Sequence, residues 1–117
     1  MPDVRKTRPV SWTKAALKEF RTFSEGVQSI CLAALTIAAE GGKADLAKPL
    51  QGLGSGVLEI ALPFRGDAFR VVNAVQLAND IWVVHSFQKK STTGSKTPPR
   101  EIEVVRNRLK QLKEMFT

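Results

Sequence analysis

The side chains best suited to chemistry lie in one stretch of the sequence, residues 81–96. The single histidine of the chain, His85, stands two residues before Phe87 and four before Lys89, and Lys90 follows directly. The stretch begins as a strand rich in β-branched and aromatic residues and continues as a polar, Gly-containing loop. An imidazole, an aromatic ring and paired ammonium groups at the mouth of a sheet suit a polyanion with exposed bases.

RNA is a polyanion that can be cut by its own 2′-OH attacking the adjacent phosphate. A protein then has to align the attack, stabilise charge on the phosphorane and move two protons. Arg70, Lys89 and Lys90 can supply the charge, and Phe87 can hold an unstacked base. His85 is the natural group for proton transfer, although a lysine among other cations could serve instead. We expect Arg70 and the two lysines to converge on one concave patch.

Each of these residues also has a purely structural interpretation. His85 could be a strand histidine with satisfied hydrogen bonds. Arg70 lies on a strand that is apolar on both sides, so it could be edge-exposed or paired with an acid. Cys31 lies on the apolar stripe of a predicted helix, which favours a small buried hydrophobe over a nucleophile. One histidine, one cysteine and scattered acids cannot assemble a zinc site, so we predict no metal and no cofactor.

The charge distribution points to an anionic partner. The 117 residues carry a net charge of +7 with a pI near 10, and the length predicts a single domain over residues 1–117. Residues 1–21 hold six basic and two acidic side chains, and residues 85–113 hold eight and two. The sequence between them is slightly acidic, which favours a localised binding face, although basic helices are often simply solvated.

The secondary-structure pattern predicts an α+β fold. Residues 1–7 are interpreted as a flexible basic arm and residues 9–12 as a short edge strand. Thr13 is the expected N-cap of a helix that runs to about Phe23, and a second helix covers residues 24–40. The glycine-rich segment 48–56 is interpreted as a linker with turns, because no Lys-Ser/Thr follows as in a phosphate-binding loop.

The second half of the chain predicts a small antiparallel sheet. Strands are expected at residues 57–62, 68–78 and 81–88, with Asn79-Asp80 as the tight turn between the last two. Thr97 is the expected N-cap of a final helix that begins with proline. The predicted element order is therefore β-α-α-β-β-β-α, with two N-terminal helices and a C-terminal helix packed on the sheet.

This order and these residues resemble the HigB-like, phage-derived branch of the RelE/ParE toxin superfamily, over roughly half the chain. The residues that carry the resemblance are Lys48-Pro49-Leu50, Gly52-Leu53-Gly54, Val57-Leu58-Glu59-Ile60, Phe64-Arg65-Gly66-Asp67, Phe69-Arg70-Val71-Val72, His85-Ser86-Phe87-Gln88-Lys89-Lys90-Ser91, Gly94, Lys96-Thr97-Pro98 and Glu101-Ile102. The resemblance implies a RelE-like fold and the toxin component of a type II toxin–antitoxin system. It implies a ribosome-dependent mRNA endonuclease, or mRNA interferase, that inhibits translation in the 30S A site.

The resemblance also assigns roles. The implied catalytic residues are Arg70, His85, Lys89 and Lys90, and the implied RNA-binding residues are Phe87, Lys96, Arg100 and Arg65. The implied enzyme is metal-independent and uses 2′-OH attack. One departure is that relatives often carry an aromatic residue where this chain has Asn73, and the chain has no tyrosine. A phenol for stacking or proton transfer is therefore absent, and Phe87 or a ribosomal base would have to substitute.

Two other functions remain open from the sequence. A ParE-like inhibitor of DNA gyrase would share the fold but not the ribonuclease site, and a non-catalytic basic module would only bind nucleic acid. The partners implied for the toxin are a helix-turn-helix antitoxin, messenger RNA on the ribosome and a possible higher-order toxin–antitoxin complex. We expect a cytoplasmic protein without a membrane partner, because the most apolar segment is too short to span a bilayer.

Overall fold

The computed structural model describes residues 7–89 and 96–116. Within them the chain forms three helices, α1 (Lys14–Phe20), α2 (Glu25–Ala39) and α3 (Pro99–Met115), and five strands, β1 (Val10–Trp12), β2 (Ala47–Pro49), β3 (Val57–Phe64), β4 (Asp67–Leu77) and β5 (Asp80–Lys89). The predicted α+β fold is confirmed. The basic arm predicted at residues 1–7 lies outside the described residues, except for Thr7.

The five strands form one open sheet in the order β1-β5-β4-β3-β2. Neighbouring strands from β2 to β5 are antiparallel, which confirms the predicted meander. The edge strand β1 runs parallel to β5, so the five-stranded sheet as a whole is mixed. The connection from β1 to the distant β5 permits this parallel pairing, because the whole of α1, α2 and the meander lies between them.

One correction concerns β2, which the sequence pattern placed in a linker. This three-residue strand pairs with β3 at the edge of the sheet and ends at a proline. Proline is tolerated there because an edge strand needs backbone donors on one side only. The glycine-rich segment that follows does contain turns, and Gly52, Gly54 and Gly56 all have positive φ angles.

The sheet separates two apolar cores. The core under α1 and α2 includes Phe20, Val27, Cys31, Leu35, Ile60, Val71 and Val83. The core under α3 includes Val57, Val72, Val84, Val105, Leu109 and Leu112. Cys31 is fully buried, and this burial raises the pKa of its thiol to about 11, as expected for a small core residue that does not act as a nucleophile.

Side-chain hydrogen bonds fix the starts of the N-terminal helices. The hydroxyl of Thr13 accepts from the Ala16 N–H at 3.2 Å, which confirms the predicted cap, and Ser24 caps α2 in the same way. The predicted cap at Thr97 is wrong, since Pro98 occupies the N-cap position and Pro99 begins α3. The Thr97 hydroxyl instead donates to a buried acid, as described below.

The connections of the meander follow from backbone chemistry. Arg65 and Gly66 form the β3–β4 turn with φ angles of 53° and 86°, the left-handed pair that a two-residue hairpin requires. The β4–β5 turn consists of Ala78 and Asn79, one residue earlier than predicted.

A β-bulge in β5 sets the direction of the histidine. Val72 pairs with His85, whereas the next residue of β4, Asn73, pairs with Val83, so Val84 is an extra residue in β5. Without the bulge, strict alternation through Val83, Val84 and His85 would direct His85 toward α1 and α2. The bulge therefore places the imidazole on the α3 face of the sheet.

Within the described residues, the helices are too short or too polar for any of them to cross a bilayer.

The packing of α2 predicts a sharp difference between two leucines on the same helix. Leu35 is 1% exposed and Leu32 is 45% exposed. We expect Leu35→Ala to lower the free energy of unfolding by about 2–5 kcal/mol because it leaves a cavity. Leu32→Ala should change it by less than about 0.5 kcal/mol. Urea unfolding measures both variants, and equal losses would contradict the orientation of α2.

Candidate functional site

Three charged or titratable side chains from consecutive strands lie on the α3 face of the sheet. Glu59 of β3 pairs with Val72 of β4, and Val72 pairs with His85 of β5. The acid and the imidazole therefore stand in one row, with Cα atoms roughly 10 Å apart, or two interstrand spacings. Arg70 lies two residues along β4 on the same face and pairs with Phe87.

Arg70 forms a buried ion pair. Its Nη1 donates to Glu59 Oε1 at 2.8 Å, and the two residues are 5% and 7% exposed. The other carboxylate oxygen, Oε2, accepts from the Thr97 hydroxyl at 2.6 Å, immediately before α3. The acid-paired interpretation of Arg70 is therefore the observed one, and its side chain does not lie on an open concave patch.

His85 is buried between acids from two different helices. Nε2 lies 2.7 Å from Glu101 Oε1 of α3, and because a carboxylate only accepts, the imidazole is the donor. Nδ1 lies 3.2 Å from Glu19 Oε1 of α1 and 3.0 Å from Arg108 Nη1. The ring stacks on Phe87 with 5.1 Å between centroids. Both ring nitrogens of His85 thus contact charged side chains, and Phe87 covers one face of the ring.

Glu19 and Arg108 close the edge of the sheet where β1 ends. They form two parallel bonds of 2.9 Å between the guanidinium and the carboxylate. The strand β1 stops at Trp12, so the outer backbone groups of β5 beyond that point have no strand partner. The Ser86 N–H donates to Glu19 at 3.2 Å, and the Val84 carbonyl accepts from Arg108 at 3.0 Å. This ion pair replaces the hydrogen bonds that a neighbouring strand would make to β5, and it joins α1 to α3.

The carboxyl of Glu19 is held in its ionised form. Burial alone would raise its pKa, but hydrogen bonds from Arg108 and the Ser86 N–H, with the electrostatic effect of His85 and Arg108, outweigh burial. The pKa of Glu19 is therefore lowered from its usual value of 4.5.

The remaining predicted site residues lie near the start of α3 or at the surface. Lys89 Nζ donates to the Lys96 carbonyl at 2.8 Å, which brings these two residues together. Arg100 is exposed in the first turn of α3, and Arg65 is exposed in the β3–β4 turn. Phe87 is 8% exposed and packs on His85, so its ring is not open to a base in this arrangement. Lys90, assigned a catalytic role from the sequence, lies outside the described residues.

Asn73, at the position where relatives often have an aromatic residue, is 1% exposed. It lies on β4 at the β-bulge, opposite Val83, and no described residue bonds its Oδ1.

Four charged residues of this cluster were not identified from the sequence as functional: Glu19, Glu59, Glu101 and Arg108. Glu59 could have been found by counting back from the Arg65-Gly66 turn, which sets it opposite Val72. No local signal marks Glu19, because it lies 66 residues from His85 in the sequence. Over residues 7–89 and 96–116, the His, Cys, Asp and Glu side chains do not form a grouping that could hold a metal ion.

Comparison with known proteins identifies the family. The model of the family described as "Phage derived protein Gp49-like (DUF891)" matches residues 18–110, which is most of the chain. The chain therefore belongs to the phage-derived Gp49-like family, a family associated with RelE/HigB-type toxins. This membership is compatible with the role of toxin in a toxin–antitoxin pair and implies an antitoxin partner. Neither the curated proteins nor the solved structures contain a significant match.

The lowered pKa of Glu19 predicts how stability depends on pH. The ionised carboxylate stabilises the fold above the unfolded-state value of 4.5, and this stabilisation is lost as the pH falls through the lower folded-state pKa. At pH 7, Glu19→Gln should therefore unfold at lower urea than the wild type, and the difference should shrink below pH 4.5. Glu103→Gln, at an exposed acid of α3, is the control. A difference that stays constant from pH 7 to pH 3 would contradict this role.

Proposed function

We propose that this protein is the toxin of a toxin–antitoxin pair and that it cleaves messenger RNA on the ribosome. The observation that carries the proposal is the arrangement of Glu59, Arg70 and His85 on one face of three adjacent strands. A carboxylate, a guanidinium and an imidazole can supply the base, the charge stabilisation and the acid of metal-independent RNA cleavage. Membership of the Gp49-like family supports the toxin role and a cognate antitoxin, for which we propose a helix-turn-helix protein.

The proposed reaction assigns one role to each group. Glu59 takes the proton from the 2′-OH, whose oxygen attacks the adjacent phosphorus. Arg70 stabilises the charge on the phosphorane, assisted by Lys89 and Lys90. His85 gives its Nε2 proton to the 5′-oxygen as the P–O5′ bond breaks, which leaves a 2′,3′-cyclic phosphate. In-line attack places base and acid on opposite sides of phosphorus, and Glu59 and His85 flank Arg70 on neighbouring strands.

Access to this site requires movement of the segment that leads into α3. This segment and the first turn of α3 hold two of the three groups, since Thr97 contacts Glu59 and Glu101 contacts His85. Lys89 is held by the backbone of the same segment. We infer that RNA replaces these contacts when it binds, with phosphate oxygens taking the position of the Glu101 carboxylate at Nε2.

Induced expression without an antitoxin tests the proposal. Primer extension on translated messages should show new ends within codons, together with arrested translation. Glu59→Gln and His85→Gln should each reduce cleavage by about 100-fold or more, because each removes a proton-transfer group. Arg21→Ala, which removes an exposed basic side chain of the α1 C-cap, should cleave like the wild type.

A loss of cleavage has to be distinguished from a loss of folding. Removing Arg70 alone leaves Glu59 buried and unpaired, which lowers the free energy of unfolding by roughly 3–5 kcal/mol. The double variant Glu59→Gln with Arg70→Met removes both charges, so it should retain cooperative thermal unfolding and lose cleavage. Full toxicity in this variant would contradict the assigned roles. An SOS response with intact messages would indicate gyrase as the target, and salt-dependent RNA binding without cleavage would indicate a binding module.

A further inference from the structure

A pocket of about 410 Å³ opens where β1 and the start of α1 meet the C-terminal half of α3. We propose that this pocket binds one nucleobase of the RNA substrate, an inference that rests on the proposed function and adds a base contact to it. Trp12 and Trp82, the two tryptophans of the chain, both line the pocket. Trp82 packs against the α3 core, and an indole ring is an aromatic surface on which an unstacked base of RNA stacks.

The indole N–H of Trp82 lacks a hydrogen-bond acceptor among the described residues, and its Nε1 is buried. A buried N–H without an acceptor destabilises the fold, and an acceptor atom on a bound base would remove that cost. Phe116 packs edge-on against Trp82 with 5.9 Å between centroids and is 48% exposed, so its side chain can move aside for a ligand.

Polar groups around the pocket favour a nucleotide over an apolar peptide. Lys14 is exposed and has no hydrogen bond or ion pair with a described residue, so its ammonium group is available for a phosphate. The exposed amide of Gln111 can both donate and accept, which suits the edge of a base. A nucleotide offers polar atoms to both groups, whereas an apolar side chain offers none.

The pocket adjoins the candidate catalytic cluster. Arg108 lines the pocket, and its guanidinium Nη1 lies 3.0 Å from His85 Nδ1. A base held against Trp82 therefore belongs to a nucleotide beside the proposed scissile phosphate. This position predicts that the pocket contributes to the sequence preference of cleavage.

Titration of the purified protein with AMP, GMP, CMP and UMP tests the pocket without requiring cleavage. Two-dimensional ¹H–¹⁵N spectra contain one indole signal for each tryptophan, and Trp82→Phe assigns them. We expect a saturable shift of the Trp82 signal with at least one nucleotide. Lys14→Ala and Gln111→Ala should each weaken binding by about two- to tenfold. Lys18→Ala, a matched charge removal on α1 outside the pocket, should bind like the wild type.

The outcomes separate this pocket from the proposed function. If the Trp82 signal shifts saturably and the pocket variants weaken binding, the nucleobase site is supported. If the same protein cuts no message in cells, only the proposed nuclease activity is contradicted. If messages are cleaved in cells but no nucleotide shifts an indole signal, the nucleobase site is contradicted and the proposed nuclease activity is supported. The same shift with inorganic phosphate alone, or equal affinity in Lys14→Ala, Gln111→Ala and Lys18→Ala, also overturns the nucleobase site.

Discussion

The buried ion pair between Arg70 and Glu59 is the constraint on which the rest of the site depends. Removing two charges from water is costly, and replacing such a pair by apolar side chains is often neutral or stabilising by roughly 1–4 kcal/mol. Apolar side chains would fit at these positions, because Val72, which pairs with Glu59 and lies two residues from Arg70, is fully buried in the α3 core. Stability therefore gives a weak reason for this pair, and chemistry on a phosphate gives a stronger one.

The same pair fixes the position of α3. Glu59 uses one oxygen for Arg70 and the other for the Thr97 hydroxyl, so the residues that enter the helix are tied to the centre of the sheet. The Glu19–Arg108 pair then ties α3 to α1 around the edge of β5. The Glu19–Arg108 pair contacts His85 Nδ1, and Glu101 in the first turn of α3 contacts Nε2 on the other side of the ring.

Local patterns in the sequence were sufficient for most of the scaffold. The apolar stripe through Cys31 and Leu35 identified α2, and the strand patterns identified β3, β4 and β5, although the β3–β4 turn is shorter than the five residues left between the expected strands. Tertiary context decided the rest. A three-residue edge strand that ends in proline is too short to show a periodic pattern. The Thr97 hydroxyl donates to the buried carboxylate of Glu59 instead of capping α3.

The candidate site was only partly predictable for a similar reason. The alternation along β5 grouped the histidine with Phe87 and Lys89, but the bulge at Val84, which directs His85 toward α3, leaves no mark in the sequence. The acids that contact His85 come from α1 and α3, and their contacts depend on how the helices pack. Sequence reasoning therefore found His85, Phe87 and the cations Arg70 and Lys89, and missed Arg108 and the three carboxylates.

Cleavage of a chemically defined message during translation in vitro tests the central claim most directly. The message carries a single 2′-deoxy nucleotide at a mapped cleavage position, and the unmodified message is the control. Because the 2′-OH is the proposed nucleophile, the account predicts 2′,3′-cyclic phosphate ends in the control and no cut at the modified position. Equal cleavage of both messages would show that the attacking oxygen does not come from the RNA and would contradict the account.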